Sequence, residues 1–326
     1  MRGLFVWTGL SIRGDPVFRH PDRRAGGAMT AAGLNDNFKG ALLMMASMAA
    51  FTLNDTFVKM LAGTLPLFQL LFLRGLLTTV MVGMLAWRMG AFARAIPRRD
   101  WKLVALRLVA EVGAAYFFLT ALFNMPLANV TAILQSLPLM VTLAATLVFK
   151  EPLGWRRMGA ILIGLVGVML IVRPGTDGFT LYSVYALIAV CFVTMRDLCT
   201  RKLSPETPSM LVTFLTSGAV MAFFGVGSVL DDWAPLDLRA GLLVLAASVM
   251  IIGGYLFSIM VMRVGEIAFV TPFRYTGLIW ALVLGWLVFG DWPQPMTLMG
   301  AAIVVGMGIF TLYREGKSAR RGRLKA

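Results

Sequence analysis

Eight ionisable side chains lie inside stretches of this chain that are otherwise apolar: Lys59, Arg74, Arg107, Arg196 and Arg274, against Asp55, Glu111 and Asp197. In hydrocarbon an ionised group costs roughly 2.5 kcal/mol or more, so each must pair, line a polar hollow or snorkel to an interface. Asp55 and Arg74 lie at matching depths, about 10 and 12 Å from the same end of adjacent runs, counted at about 1.5 Å per residue. That placement allows a salt bridge, or a site that binds or gates a solute. Glu111 is the carboxylate nearest mid-depth, about 15 Å in, and Arg107 stands one turn away, so a structural bond along one helix face is the plain reading. The sharper reading makes Glu111 the coupling candidate, since a desolvated carboxylate takes up a proton more readily than one in water.

Arg274 follows Pro272 by two positions, where a missing N–H frees a carbonyl and unwinds the helix. With Tyr275 and Trp280 nearby it offers a cation and aromatic faces suited to a flat or anionic solute; pairing with Glu111 or Asp197 is the alternative. Gln135, one turn before Pro138, can bond a ligand or bridge helices. Arg196 lies where it can snorkel toward the cytoplasmic side, and Asp197, like Arg107, is expected to pair structurally. Nothing here resembles a reaction centre. The single His20 is remote from these runs, Asp231 and Asp232 form an isolated acidic pair, and Cys191 and Cys199 read as small hydrophobes. No catalytic residue, metal or cofactor is expected.

The elements that carry these groups are long and apolar. Hydrophobic residues make up 59% of the 326 residues and charged ones 14%, with a mean hydropathy of +0.80, more than a soluble fold of this size could bury. Ten runs are each long enough to cross roughly 30 Å of hydrocarbon as a helix, near 40–62, 66–87, 102–124, 127–149, 155–172, 180–200, 208–230, 240–262, 267–289 and 296–313. They lack the alternation of barrel strands, so the expected class is an all-α integral membrane protein. With the N-terminus inside, 23 of the 30 Lys and Arg residues fall on the inner side and 2, Arg173 and Arg239, on the outer. Such a bias predicts both termini in the cytoplasm and accounts for the net charge of +14 without nucleic acid, since basic loops face anionic headgroups. Residues 1–37 read as a disordered basic arm, with Met29 as an alternative start, and 315–326 as a basic cytoplasmic tail.

The chain also repeats itself. Thr131–Glu151 aligns with Thr271–Asp291 at an offset of 140 residues, and Asp55-x-x-x-Lys59 aligns with Asp197-x-x-x-Arg201 at an offset of 142. Ala160-x-x-x-Gly164 pairs with Ala302-x-x-x-Gly306 in the same way, and both are read as packing faces. Two halves follow, 38–173 and 179–314. Five spans is an odd number, so the second half must cross the membrane upside down, an arrangement typical of secondary transporters with a site at the repeat interface.

The repeated blocks, "NMPLANVTAILQSLPLMVTLAATLVFKEPLGWRRMGAILIGLVGVMLI" and "AFVTPFRYTGLIWALVLGWLVFGDWPQPMTLMGAAIVVGMGIF", resemble the EamA type of the drug/metabolite transporter superfamily, from about Phe38 to Tyr313. Leu278 stands where the first half has Pro138, and Asp291 where Glu is usual. The resemblance implies ten helices around a central cavity and carriage of a small organic metabolite across a bacterial inner membrane. The Thr-Pro-Phe-Arg-Tyr stretch resembles branches that handle S-adenosylmethionine or riboflavin; an amino acid or similar solute, and a homodimer, stay open. A membrane-embedded enzyme and a structural or sensory membrane protein are the rival classes. The first has no chemistry to point to, and the second leaves the buried ions unexplained. No Gly-x-x-x-x-Gly-Lys-[Ser/Thr] run exists for ATP, so an ion gradient or solute exchange is the expected energy source.

Overall fold

A computed structural model of the chain describes residues 31–150, 154–174, 180–264 and 267–323. The expectations for residues 1–30, including Met29 as a start, for Glu151 of the Phe-Lys-Glu motif and for the last three residues lie outside the described residues. Among the described residues the secondary structure is helical throughout: α1 (Ala31–Met60), α2 (Leu67–Arg88), α3 (Trp101–Asn124), α4 (Leu127–Leu134), α5 (Leu137–Phe149) and α6 (Trp155–Val172), then α7 (Leu181–Lys202), α8 (Ser209–Ser228), α9 (Leu238–Val264), α10 (Ile267–Val270), α11 (Thr276–Phe289) and α12 (Pro295–Arg323). Ten stretches within them are long and apolar enough to span a bilayer; α4 with α5 supplies the fourth and the segment Thr271–Phe289 the ninth. Residues 31–37 belong to α1 and not to a disordered arm, and α12 continues beyond its membrane span into the basic tail as far as Arg323; in both places a polar segment continues an apolar helix that has already met the cost of nucleation.

The first six helices correspond one to one with the last six, and the packing respects that correspondence. Helix α1 lies along α9 as α7 lies along α3; α2 meets α8 and α6 meets α12, each pair mapping onto itself. This is the pattern a pseudo-twofold axis in the membrane plane imposes on inverted halves. Contacts at the helix ends fix which ends share a face. At one face Arg173 reaches Gln294, and the Gln69 amide pairs with both backbone groups of Ala234 at 2.8 and 2.9 Å. At the other, Asp100 accepts from the Ser204 amide at 3.1 Å and the Thr207 hydroxyl at 2.5 Å, and Arg99 reaches Glu206. Lys150 and Gly290 therefore end up at opposite faces.

Close packing of α6 on α12 depends on two glycines: a Cβ on Gly300 would meet the Gly167 carbonyl oxygen, so the backbones touch as small-residue pairs allow. The expected face on α12 is corrected here. Ala302 and Gly306 are exposed and Gly306 has nothing within 4 Å of a built Cβ; α12 packs through Gly300, Ala301, Val304 and Gly308 instead. The 142-residue register that aligns α1 with α7 therefore does not carry the contact face of α6 onto that of α12.

Candidate functional site

Both broken spans interrupt at the same level. Pro138 cannot donate, so α5 begins at Leu137 and the chain turns at Gln135 and Ser136. In the second half Pro272 does the same work from an earlier register, turning Thr271–Tyr275 into a 3-10 segment ahead of α11. Repeat-related hydroxyls cap the two breaks: Ser136 donates to the Ile133 carbonyl at 2.7 Å and Thr276 to the Phe273 carbonyl at 2.6 Å. The departure at Leu278 thus leaves the break in place, because a second proline supplies it.

Around these breaks the buried ions form a column between the two halves. Toward the face that carries the end of α1, Asn54 donates to Asp55 at 2.9 Å and accepts from Arg74 at 3.2 Å, so Asp55 and Arg74 are linked through an amide, with Coulombic attraction between them. Toward the opposite face, Arg196 binds two carboxylates: Nη1 lies 3.3 and 3.4 Å from the oxygens of Glu111, and Nε and Nη2 each lie 2.9 Å from Asp197 Oδ1. Here the expectations are corrected. The Arg196 side chain is 14% exposed and does not snorkel, because two carboxylates hold it inward. Arg107 does not close the expected bond to Glu111 along its helix; its Nε donates to the Thr200 hydroxyl at 2.8 Å and its Nη1 to that of Thr216. Tyr255, from α9, stands between the two groups, in Coulombic contact with Glu111, Arg196, Arg107 and Arg74 and with its ring edge-on to Phe51 at 5.2 Å.

The repeat explains how the two ends of the column came to differ. At an offset of 142, Asn54 and Asp55 stand opposite Arg196 and Asp197, while Arg74 stands opposite Thr216. At these aligned positions each half provides one carboxylate and one guanidinium, but the first draws its cation from α2 and the second from the same helix as its carboxylate. Neither Asn54, Thr200, Thr216 nor Tyr255 stood out in the sequence, since uncharged polar residues are common in membrane spans. Asn54 was findable: it faces Arg196 in the very alignment that matches Asp55 to Asp197.

The remaining candidates separate. Gln135, 8% exposed, faces the other half across the break, its Nε2 lying 3.5 Å from where a Gly277 Cβ would be. Arg274 joins the Arg196 end of the column, attracted by Asp197 and repelled by Arg196. Tyr275 keeps Coulombic contact with Arg274, while its ring is buried and its hydroxyl packs on α12 at Gly308, where a Cβ would collide with it. Trp280 is 39% exposed and shares an outward stripe with Ile279, Val283 and Leu287, so it faces the surroundings of the bundle and not Arg274. Helix α11 turns its small residues Gly277, Ala281 and Gly285 inward, which forces the bulky positions between them outward.

Comparison with known proteins fits this architecture. The EamA-like transporter family matches residues 38–173 and again 180–314. A riboflavin transporter of Vibrio cholerae is 31% identical over 225 residues, covering 68% of this chain and 74% of the relative. The pseudopaline exporter CntI of Pseudomonas aeruginosa is 25% identical over 271 residues, covering 82% and 93% respectively. A solved crystal structure at 18% identity superposes with a TM-score of 0.55, covering 83% of this chain and 96% of its own, which speaks to the fold alone. Two matched repeats, ten spans and helix packing that follows an inverted twofold place the chain in the EamA-like transporter family.

Proposed function

We propose that the chain is a secondary active transporter that moves a small organic metabolite across the bacterial inner membrane by alternating access, with both termini in the cytoplasm. The observation that carries this reading is the polar column itself. Charged groups from both halves meet between inverted repeats, at a place where an ion without a function would be costly. In this reading Arg74, Arg274 and the amide of Gln135 meet the solute, and Glu111 is the group through which a proton gradient would act. A ligand carboxylate, phosphate or ring imide would compete with Glu111 or Asp197 for Arg196 and so loosen the contact between α3 and α7. Relatives named for riboflavin and for pseudopaline favour a heteroatom-rich metabolite with several hydrogen-bonding groups, and leave uptake and export both open.

Purified protein in liposomes provides the test. Preloading with unlabelled riboflavin or another candidate metabolite should accelerate entry of the labelled compound, saturably, and Arg274→Ala should abolish flux while leaving the amount of protein in the bilayer unchanged. Absence of trans-acceleration for every solute that raises the thermal stability of the protein would remove the carrier reading.

A further inference from the structure

Two cation–aromatic contacts tie the halves together at opposite faces of the bundle, and they are repeat mates. At one face Lys59, on the last turn of α1, places its Nζ 5.4 Å from the centroid of the Phe289 ring at the end of α11. The same ammonium donates to the Leu122 carbonyl at 3.1 Å and to that of Met125, and lies in Coulombic contact with Asp291. At the other face Arg201, on the last turn of α7, places its Cζ 4.9 Å from the centroid of the Phe149 ring at the end of α5, with Lys202 Nζ at 5.9 Å from the same ring. Lys59 maps onto Arg201 at the offset of 142, and Phe289 onto Phe149 at 140. Each contact joins the first span of one half to the end of the fourth span of the other, so neither survives a rocking motion that parts the halves at its own face.

We propose that these are the two gates of the transport cycle, Lys59–Phe289 closing one face and Arg201/Lys202–Phe149 the other. The inference rests on the alternating-access reading. The chemistry suits a gate that must open every cycle: a cation over a ring is held without proton transfer, and it gains strength when water is excluded and loses it when water enters. The two gates are not equal. Lys59 has carbonyl acceptors as well as the ring, whereas two cations share Phe149, so removing either ring should bias the equilibrium in opposite directions, while removing Arg201 alone should have a smaller effect than removing Phe149.

The test uses the full chain with Cys191 and Cys199 replaced by Ser and a single reporter cysteine at Gln135→Cys, labelled by a membrane-impermeant maleimide applied from one side or the other of sealed vesicles. Phe289→Leu should raise labelling from its own face about tenfold relative to the opposite face, and Phe149→Leu should shift the ratio about tenfold the other way. Phe289→Trp and Phe149→Trp, which keep a π-face, should label like the parent protein. Lys59→Gln gives a second route to the first gate, free of the repacking that a change of ring brings. Equal shifts in the same direction for both Leu variants, or parent-like labelling in both Leu variants and Lys59→Gln, would overturn the gates. Labelling from one face alone in the parent and in every variant would overturn the alternating-access reading together with them.

Discussion

Replacing Arg196 with Met isolates the energetic role of the centre. The guanidinium bonds Glu111 and Asp197 with side chains 14%, 20% and 2% exposed, so its loss leaves two carboxylates facing one another without their shared counter-ion. Truncating one partner of a buried ion pair costs about 3–5 kcal/mol, mostly because the survivor stays buried and uncompensated. Arg107 can recover part of that only by giving up its hydroxyl partners Thr200 and Thr216, each worth about 0.6–2 kcal/mol between membrane helices. A net destabilisation of about 2–4 kcal/mol is therefore expected for Arg196→Met. The triple variant Arg196→Met, Glu111→Gln, Asp197→Asn removes the charges together and should return to within about 1–2 kcal/mol of the parent, since replacing a whole buried ion group is often near neutral. Reversible unfolding of the purified protein in mixed micelles, followed by near-ultraviolet dichroism, measures both. If the triple variant were as unstable as the single one, the loss would lie in packing and not in uncompensated charge, and the assignment of Arg196 as the hub of the column would fail.

Other outcomes follow from particular contacts. Glu111→Gln should abolish stimulation of flux by an imposed proton gradient while solute-for-solute counterflow continues; gradient stimulation at the parent level would exclude Glu111 as the coupling group. Gly300→Ala should cost about 1–3 kcal/mol in the same unfolding assay because the new methyl meets the Gly167 carbonyl, whereas Gly306→Ala, with open space around it, should be neutral or stabilising by up to about 1 kcal/mol through helix propensity. Gly308→Ala should be destabilising by about 1–3 kcal/mol through its collision with the Tyr275 hydroxyl, and Tyr275→Phe in the same chain should recover part of the loss; an unimproved double variant would show that the ring does not sit on α12. Trp280→Leu should leave solute affinity unchanged in a binding assay, because the indole belongs to the outward stripe of α11.

The span count and the presence of two halves are legible in the sequence for one reason: hydrocarbon penalises every unpaired polar group, so apolar runs of spanning length leave little freedom. The repeat adds more than a count. Asp55 and Asp197, or Lys59 and Arg201, are matched by alignment alone, and a helix that starts on one side and one that starts on the other must set such mates at opposite depths. Pro272 likewise announces the break in the ninth span, because its missing N–H acts locally. The family resemblance read from the Phe-Lys-Glu and Phe-Gly-Asp blocks is of the same local kind, and the two matched repeats agree with it.

What only the tertiary structure decided is which buried ion meets which. Spacing of three or four residues suggested Arg107 with Glu111, yet the guanidinium of Arg196 on another helix reaches that carboxylate first, and two threonine hydroxyls claim Arg107. A side chain 6 or 7 Å long can sweep across several neighbours, so its partner depends on how α3 and α7 are rotated against each other. The sequence pattern does not set that rotation to within one residue. The rotation of the ninth span against α12 likewise sends Tyr275 against Gly308 and Trp280 outward, although both stand within a turn or two of Arg274. Periodicity determines that a polar face exists; the packing of inverted halves selects its members.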